Sequence, residues 1–395
     1  MGACKTSCAN DSDCLPNYFC GAGSCHQAAT AVVCGVSFTC AILYDGTVRC
    51  WGDNHRMQLG TGSASSTSLP VEVTGLPKPA TALALGEGFA CASLDDGSVW
   101  CWGDDLVGEV GNGMFSSTSG PVGYAPAKVK SLGSPVTAIA AGVFHVCAVV
   151  SKATVWCWGN NGNAELGSGM ATTSAPGGIN LPVQAKVDSG TIVAVAAGAE
   201  QSYALFSNDT LIQSWGGSES GQLGNGSTAV TTAIQDVGPG LAAVSVTSGT
   251  YAYFACAIGT DGAVYCWGDG SDGALGSSSP VANQSNPVKI GGLPATANQI
   301  SASRETVCAI LRNGTLYCWG GNEDGEAGRA SPSNFPTPMQ VTGFTGTPVS
   351  VAVGYTHTCA LMNNGAVWCW GADDAGQLGD GRIVSSPTPI QVNSW

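Results

Sequence analysis

The chain has 395 residues, 27 acidic against 13 basic side chains, a net charge of −14 and an isoelectric point near 4.4. That balance excludes a nucleic-acid binder, whose phosphate partner demands a basic surface, and it disfavours docking on anionic lipid for the same reason. No stretch is long and apolar enough to span a membrane as a helix. At the N-terminus, residues 1–29 carry Cys4, Cys8, Cys14, Cys20 and Cys25 among Asn, Asp, Ser and Gly, too polar to build a core. With Cys34 they make six cysteines. The segment is expected to be a small disulfide-stapled cap, tied through Cys34 to the rest of the chain.

From residue 30 to 395 one unit recurs seven times. Trp51, Trp102, Trp158, Trp215, Trp267, Trp319 and Trp370 are each followed by Gly, at spacings of 51, 56, 57, 52, 52 and 51 residues. Such a period marks a supersecondary unit whose copies bury their apolar faces on one another. The first copy reads Gly35, Cys40-Ala41, Asp45-Gly46, then Cys50-Trp51-Gly52. A polar loop comes next, then Gly-Gln-Leu-Gly as at 221–224 and 376–379, a Ser/Thr-rich link, and a Pro-Val-x-Val segment such as Pro70–Val73. Short runs rich in Val, Ile, Tyr and Trp, bounded by Gly, Asn, Asp and Ser, predict four strands per copy. Four strands in seven copies predict an all-β, seven-bladed β-propeller. The last segment, Pro389–Val392, has no copy after it. It is expected to pair with the N-terminal blade and remove an open sheet edge.

Six copies carry cysteines ten residues apart: Cys40/Cys50, Cys91/Cys101, Cys147/Cys157, Cys256/Cys266, Cys308/Cys318 and Cys359/Cys369. In most of them a Gly lies six residues after the first, as a three-residue hairpin with a left-handed last position requires. That register sets the two cysteines opposite each other on adjacent strands. The fourth copy has Tyr203 and Ser214 instead, so both cysteines vanish together. Zinc needs more ligands converging on one ion, and six two-cysteine sites make poor metal chemistry. Disulfides are therefore expected, and with them an oxidising compartment, secreted or at the cell surface. Met1-Gly2 reads as a start placed after a removed export signal. Gly2-Ala3-Cys4 also fits the end of a bacterial lipoprotein signal, with a lipid on Cys4.

The pattern Gly-x-x-His-x-Cys-Ala, Gly-x-Val-x-Cys-Trp-Gly, Gly-Gln-Leu-Gly is best kept at Gly142–Ala148 and Gly354–Ala360. It resembles the regulator-of-chromosome-condensation repeat over roughly residues 30–395. The resemblance implies a seven-bladed propeller with shared-blade closure. It does not imply one activity. The family's namesake is a nucleotide-exchange factor for a nuclear GTPase and binds chromatin; some bacterial members are secreted and bind proteins, and one similar propeller inhibits β-lactamases. The paired cysteines and acidic balance speak against the nuclear role here.

No Ser-His-Asp, His-Glu-x-x-His or phosphate-loop signature is present, and neither a cofactor nor a metal is expected, so the chain is read as a binding protein and not an enzyme. His145 and His357 share one repeat position and read as backbone-bonding consensus residues. Trp100, Trp156 and Trp368, with Tyr265 and Tyr317 at the same position, read as cross-strand packing, with sugar stacking as the alternative. Acids cluster in the loops after Trp-Gly: Asp53, Asp104, Asp105, Glu109, Glu165, Glu219, Asp269, Asp272, Glu323, Asp324, Glu326, Asp373 and Asp374. Equivalent loops fall on one face, which is expected to be strongly negative and to dock a basic partner, with Asp104, Asp105, Glu323, Asp324, Asp373 and Asp374 as binding residues. Asp269-Gly270-Ser271-Asp272 offers part of a Ca²⁺ ligand set. Thr250–Phe254 is an insertion in which Tyr251, Tyr253 and Phe254 are expected to be exposed interface anchors. The links 114–124 and 170–180 also depart from the repeat. The function expected is an exported, monomeric, non-enzymatic propeller that recognises another protein through variable loops. A glycan-binding lectin and an enzyme with acids at the channel mouth are the alternatives.

Overall fold

The computed structural model describes residues 8–393 apart from 22, 117–122, 173–176, 208–209, 239, 277–281 and 332. Seven four-stranded antiparallel sheets span 29–72, 80–128, 136–184, 192–236, 243–289, 297–341 and 348–391. They are numbered here as blades 1 to 7. Each is a meander with its strands in chain order, the first strand innermost, and first strands of successive blades pack around a central channel. Second strands such as Phe38–Leu43 and His357–Met362 are buried at every position, because a neighbouring blade covers each of their faces.

The repeated motif explains itself between blades. Each Trp-Gly indole inserts into the interface with the blade before it; Trp102 packs with Phe38, Cys40 and Leu59 of blade 1. Its N–H donates to the carbonyl of the Gln of the preceding Gly-Gln-Leu-Gly element, or of the residue in its place. The pairs are Trp102 to Gln58, Trp158 to Glu109, Trp215 to Glu165, Trp267 to Gln222, Trp319 to Ala274 and Trp370 to Glu326, at 2.7–2.9 Å. The glycine after each Trp sits at φ between 94° and 109°, which an L side chain rarely adopts. A Cβ on Gly371 would lie 2.4 Å from the Thr356 carbonyl oxygen, so the position also needs glycine for close approach.

The ring closes differently from expectation. The last strand, Ser386–Gln391, pairs with Val367–Gly371 of its own blade, and blade 1 is complete from 29–72. Because the chain enters blade 1 at its innermost strand, Ala29–Cys34, no strand is missing for the C-terminus to supply. Side chains close the seam between blades 7 and 1 instead. Trp51 donates to the Gln377 carbonyl at 2.8 Å, Thr39 Oγ1 donates to the same carbonyl at 3.0 Å and bonds His357 Nε2 at 2.7 Å.

All six cysteine pairs form cross-strand disulfides, Cys40–Cys50, Cys91–Cys101, Cys147–Cys157, Cys256–Cys266, Cys308–Cys318 and Cys359–Cys369. Each joins directly opposed residues of the second and third strands of its blade. All twelve cysteines, including Cys101, Cys266, Cys318 and Cys369 on the third strands, are 0% exposed. They are staples inside the blade stack and form no part of a binding surface. In blade 4, Tyr203 faces Ser214 at the same register; the phenol donates to the Gln222 carbonyl and Ser214 Oγ to Leu223 O at 2.7 Å. Hydrogen bonds thus stand in for the missing staple.

Before the blades, a hairpin of Tyr18–Gly21 and Ser24–Gln27 is held by Cys8–Cys20 and Cys14–Cys25. Phe19, 2% exposed, seats this cap against Met362 and Ala366 of blade 7, and Asn364 Nδ2 donates to Asp11 at 3.0 Å. Among the described residues, none of the cap is bonded to Cys34. Among them Cys34 forms no disulfide, and it is buried in the seam between blades 7 and 1, its thiol donating to Ala352 O at 3.4 Å. Burial pushes that thiol up to about 12. Cys4 lies outside the described residues.

Candidate binding face

Two sets of loops share one face of the propeller: those joining first to second strands, around the channel, and those following each Trp-Gly, further out. The cap contacts blade 7 at Asn364 and Ala366, in and beside the turn between its second and third strands, which lies on the opposite face. The described residues of the cap therefore leave the loop face free.

The acids of this face divide into two groups by burial. Asp105 and Asp373 are 0% exposed and are not docking residues. Each accepts the backbone N–H five residues on, Val110 and Leu378, at 2.9 Å. Asn54, Asn161 and Asn322 do the same in their blades. Glu109, Glu165 and Glu326 are equally buried, and each accepts the N–H two residues back, as Gln58, Gln222 and Gln377 do. Burial pushes Asp105 up to about 7, Glu109 to about 8, Glu165 and Glu326 to about 7 and Asp373 to about 6. These carboxyls brace the loops from inside and offer no oxygen to a partner at the surface, and at neutral pH burial keeps Glu109 largely protonated. Asp104 is nearly buried and paired with Arg56. Glu219, Glu323, Asp324 and Asp374 remain exposed. Asp269 and Asp272 are half-buried and engaged locally with Ser271.

The insertion of blade 5 is the departure from the repeat. Six residues, 248–253, join its first two strands where the other blades use two or three. Phe254 is 1% exposed and begins the second strand, the place held by Phe38, Phe89 and the two repeat histidines; it is core and not an anchor. Both neighbours hold the insertion: Ala252 O accepts from Gln201 Nε2 at 2.7 Å and Ala199 N at 3.1 Å, and Thr250 O accepts from Ser303 Oγ at 2.8 Å and Arg304 N at 2.9 Å. Tyr251, in the left-handed region at φ 59°, crosses the channel and donates its hydroxyl to Glu87 of blade 2. Its ring meets Tyr355 of blade 7 edge-on at 5.0 Å, and Arg304 lies over the Tyr355 ring at 4.6 Å. Tyr253 alone of the run is exposed, at 37%. No single-copy reading of residues 250–254 could separate these fates; aligning Phe254 with Phe38 and Phe89 would have.

A cavity of about 190 Å³ opens beside the insertion, lined by Tyr251, Tyr253, Tyr355, Arg304, Glu305 and Asp272 among others. A larger one, about 660 Å³, lies on the opposite face beside Asp261 and Tyr265, where Asp261 is already paired with Lys289 at 3.0 Å. His145 and His357 are buried, bond Ser202 and Thr39 of the next blade, and are pushed down to about 4 and about 3 by burial, so they are neutral interblade ties. Trp100 and Trp368 pack half-buried against the interblade cores, as does Tyr317. The links 114–124 and 170–180 lie partly outside the described residues.

Comparison with known proteins agrees with this architecture. Two models of the "Regulator of chromosome condensation (RCC1) repeat" match, one at 45–93, 96–149, 152–205, 261–310, 313–361 and 364–394, the other at six segments between 29 and 377. The first passes over 206–260, which holds the third and fourth strands of the disulfide-free blade 4 and the insertion. The human E3 ubiquitin-protein ligase HERC2 is 27% identical over 88% of this chain, which spans only 7% of HERC2's length. The ultraviolet-B receptor UVR8 of Arabidopsis thaliana is 29% identical over 81% of this chain and 71% of its own. Among solved structures, human WBSCR16 superposes with a TM-score of 0.76 at 21% identity, over 88% of this chain and 94% of its own. Prp20p of Saccharomyces cerevisiae gives 0.75 at 21%, over 93% and 88%. These two show the shared fold. With the repeat matched over well more than half its length, the chain belongs to the regulator of chromosome condensation (RCC1) repeat family.

Proposed function

We propose that this chain is an exported, non-enzymatic, monomeric binding protein, a cap at 1–29 followed by a propeller at 30–395, that recognises another protein through its loop face. The observation that carries this is the blade 5 insertion. It is hydrogen-bonded to three other blades and presents Tyr253 beside Asp269, Asp272 and Glu305, a fixed aromatic where carboxylates outnumber the one guanidinium, Arg304. Aromatics in such settings are common interface anchors. Relatives support a protein partner: Prp20p is described with binding properties to Gsp1p and histones, and in complex with Kap60. The eight disulfides among the described residues fit an oxidising compartment, hence a secreted or cell-surface location. The lectin reading is weakened by the half-buried packing of Trp100, Trp368 and Tyr317.

The test is capture from the source organism's envelope and medium with the oxidised protein. Wild type is compared with a triple variant, Tyr253→Ala, Glu323→Gln, Asp374→Asn, and with an opposite-face control, Asp45→Asn. One protein recovered by wild type and control but lost by the triple variant is the expected result. Equal recovery by all three refutes the assignment of the face.

A further inference from the structure

The cavity beside the insertion has a composition that its neighbours do not explain. Its walls include three tyrosines, Tyr251, Tyr253 and Tyr355, brought from blades 5 and 7. Around it stand the carboxylates of Asp269, Asp272 and Glu305, with Glu323 and Asp324 at its edge. The one cation among the described lining residues is Arg304, which contacts Glu305 at 3.6 Å, Glu323 at 3.1 Å and Asp324 at 4.0 Å. Five carboxylates therefore face one guanidinium, and that guanidinium has taken the Tyr355 ring at 4.6 Å. Among the described residues, no cation lies over the Tyr251 and Tyr253 rings. An electron-rich ring beside excess negative charge attracts a positive group, most strongly where water is partly excluded.

The walls are fixed before any ligand arrives. Tyr251 is tethered at its hydroxyl to Glu87 and at its ring to Tyr355, and the backbone on both sides of it is hydrogen-bonded to blades 4 and 6. Such a site loses little entropy on binding. Its volume, about 190 Å³, admits one side-chain cation, and since Arg304 already holds the planar, ring-stacked place on Tyr355, a compact ammonium on a methylene stem fits what is left.

We propose that this cavity binds the ammonium group of a lysine side chain from the protein partner, held by the faces of Tyr251 and Tyr253 and by Asp272, Asp269 and Glu305. The assignment rests on the protein-binding reading above and names the chemistry its partner must present. Arg304 is the resident analogue of that ligand: it already combines one tyrosine face with several carboxylates, and an incoming lysine repeats the arrangement on the rings left open.

Ligand-observed NMR titration of the intact oxidised chain tests this. The probes are Nα-acetyl-lysine methylamide, tetramethylammonium, Nα-acetyl-arginine methylamide and the neutral Nα-acetyl-norleucine methylamide. The lysine and tetramethylammonium probes are expected to bind and norleucine is not. Tyr253→Ala should weaken the lysine probe on the order of 3- to 10-fold, while Tyr253→Phe, which keeps the ring face, should retain it. Asp272→Asn should also weaken it. Both positions are at least partly exposed, so the scaffold is left intact, and an unchanged melting temperature verifies this. Norleucine binding as well as lysine, lysine binding indifferent to Tyr253→Ala, or binding by the arginine probe alone would each overturn the proposal. If a protein partner is captured through this face but no probe binds, the cavity assignment falls and the protein-binding reading stands. If the probes bind as expected and no protein is captured, the reverse holds.

Discussion

Glu109→Gln should stabilise the protein at pH 8 and change little at pH 5. Glu109 is fully buried; Oε2 accepts the Val107 N–H at 2.9 Å, and Oε1 has no hydrogen-bond partner among the described residues. Burial, reinforced by Asp104 and Asp105, pushes its carboxyl up to about 8 from an ordinary value of 4.5. Below 4.5 the proton is held in both the folded and the unfolded chain, so the group contributes no pH dependence. Between 4.5 and 8 the folded chain keeps the proton and the unfolded chain releases it, so stability falls as pH rises. Above 8 both states are ionised and the folded state bears the full cost of a buried charge. At about 1.4 kcal/mol per pH unit the upper bound approaches 5 kcal/mol, and relaxation around the charge reduces this to roughly 2–4 kcal/mol. The amide removes this cost while keeping the bond to Val107, as Gln58, Gln222 and Gln377 do in their own loops. With an unfolding entropy of about 2 cal/mol/K per residue, the gain at pH 8 is a rise in melting temperature of roughly 4 °C. Differential scanning calorimetry of both proteins at pH 5 and pH 8 measures it as a double difference. A gap between variant and wild type that is equal at the two pH values, or larger at pH 5, refutes the reasoning.

Other perturbations have equally definite outcomes. Gly371→Ala places a Cβ 2.4 Å from a backbone oxygen at φ 109° and should cost about 2 kcal/mol or more, whereas Gly62→Ala, with nothing within 4 Å, should cost about 1 kcal/mol for its positive φ alone; thermal melts of the two variants compare them. Replacing Cys147 and Cys157 together by Ala should lower stability by roughly 2–3 kcal/mol, read by denaturant titration without reductant. Cys34 should resist alkylation in the native protein and react fully in denaturant, as peptide mapping of the labelled chain would show; labelling under native conditions would contradict its burial in the seam.

The blades were legible because one physical requirement is written seven times. Trp-Gly recurs since every interface needs an indole that reaches the preceding blade's carbonyl and a glycine that tolerates φ near 100°. The cysteine pairs were legible for a like reason: a three-residue hairpin fixes which residues oppose each other, and Cys40↔Cys50 is the result. Closure was not legible. A final strand with no copy after it suits either its own blade or the first one, and the choice depends on which strand of the first blade the chain enters. Here it enters at the innermost, Ala29–Cys34, so the seam falls between sheets and is held by Trp51, Thr39 and His357. The placing of Cys34 follows from the same geometry, since it belongs to that inner strand and its thiol faces blade 7.

The candidate face was half legible, and the missing half was within reach of the repeat. An acid in a polar loop suggests exposure, yet Asp105 and Asp373 occupy the place of Asn54, Asn161 and Asn322, and Glu109, Glu165 and Glu326 that of Gln58, Gln222 and Gln377. A position that alternates between an acid and its own amide is selected for an acceptor oxygen of fixed reach and not for charge. A charge there is a cost, and burial answers it by raising the pH at which the proton leaves. Glu323, Asp324 and Asp374 differ: they sit between the two buried positions of their loops, where no backbone donor waits, and they stay in water. Exposure in this fold is thus decided by offset from the Trp-Gly pair. By that rule the exposed acids of the loop face are a minority of its acids and lie on blades 4, 6 and 7, to either side of the one insertion that brings tyrosines to meet them.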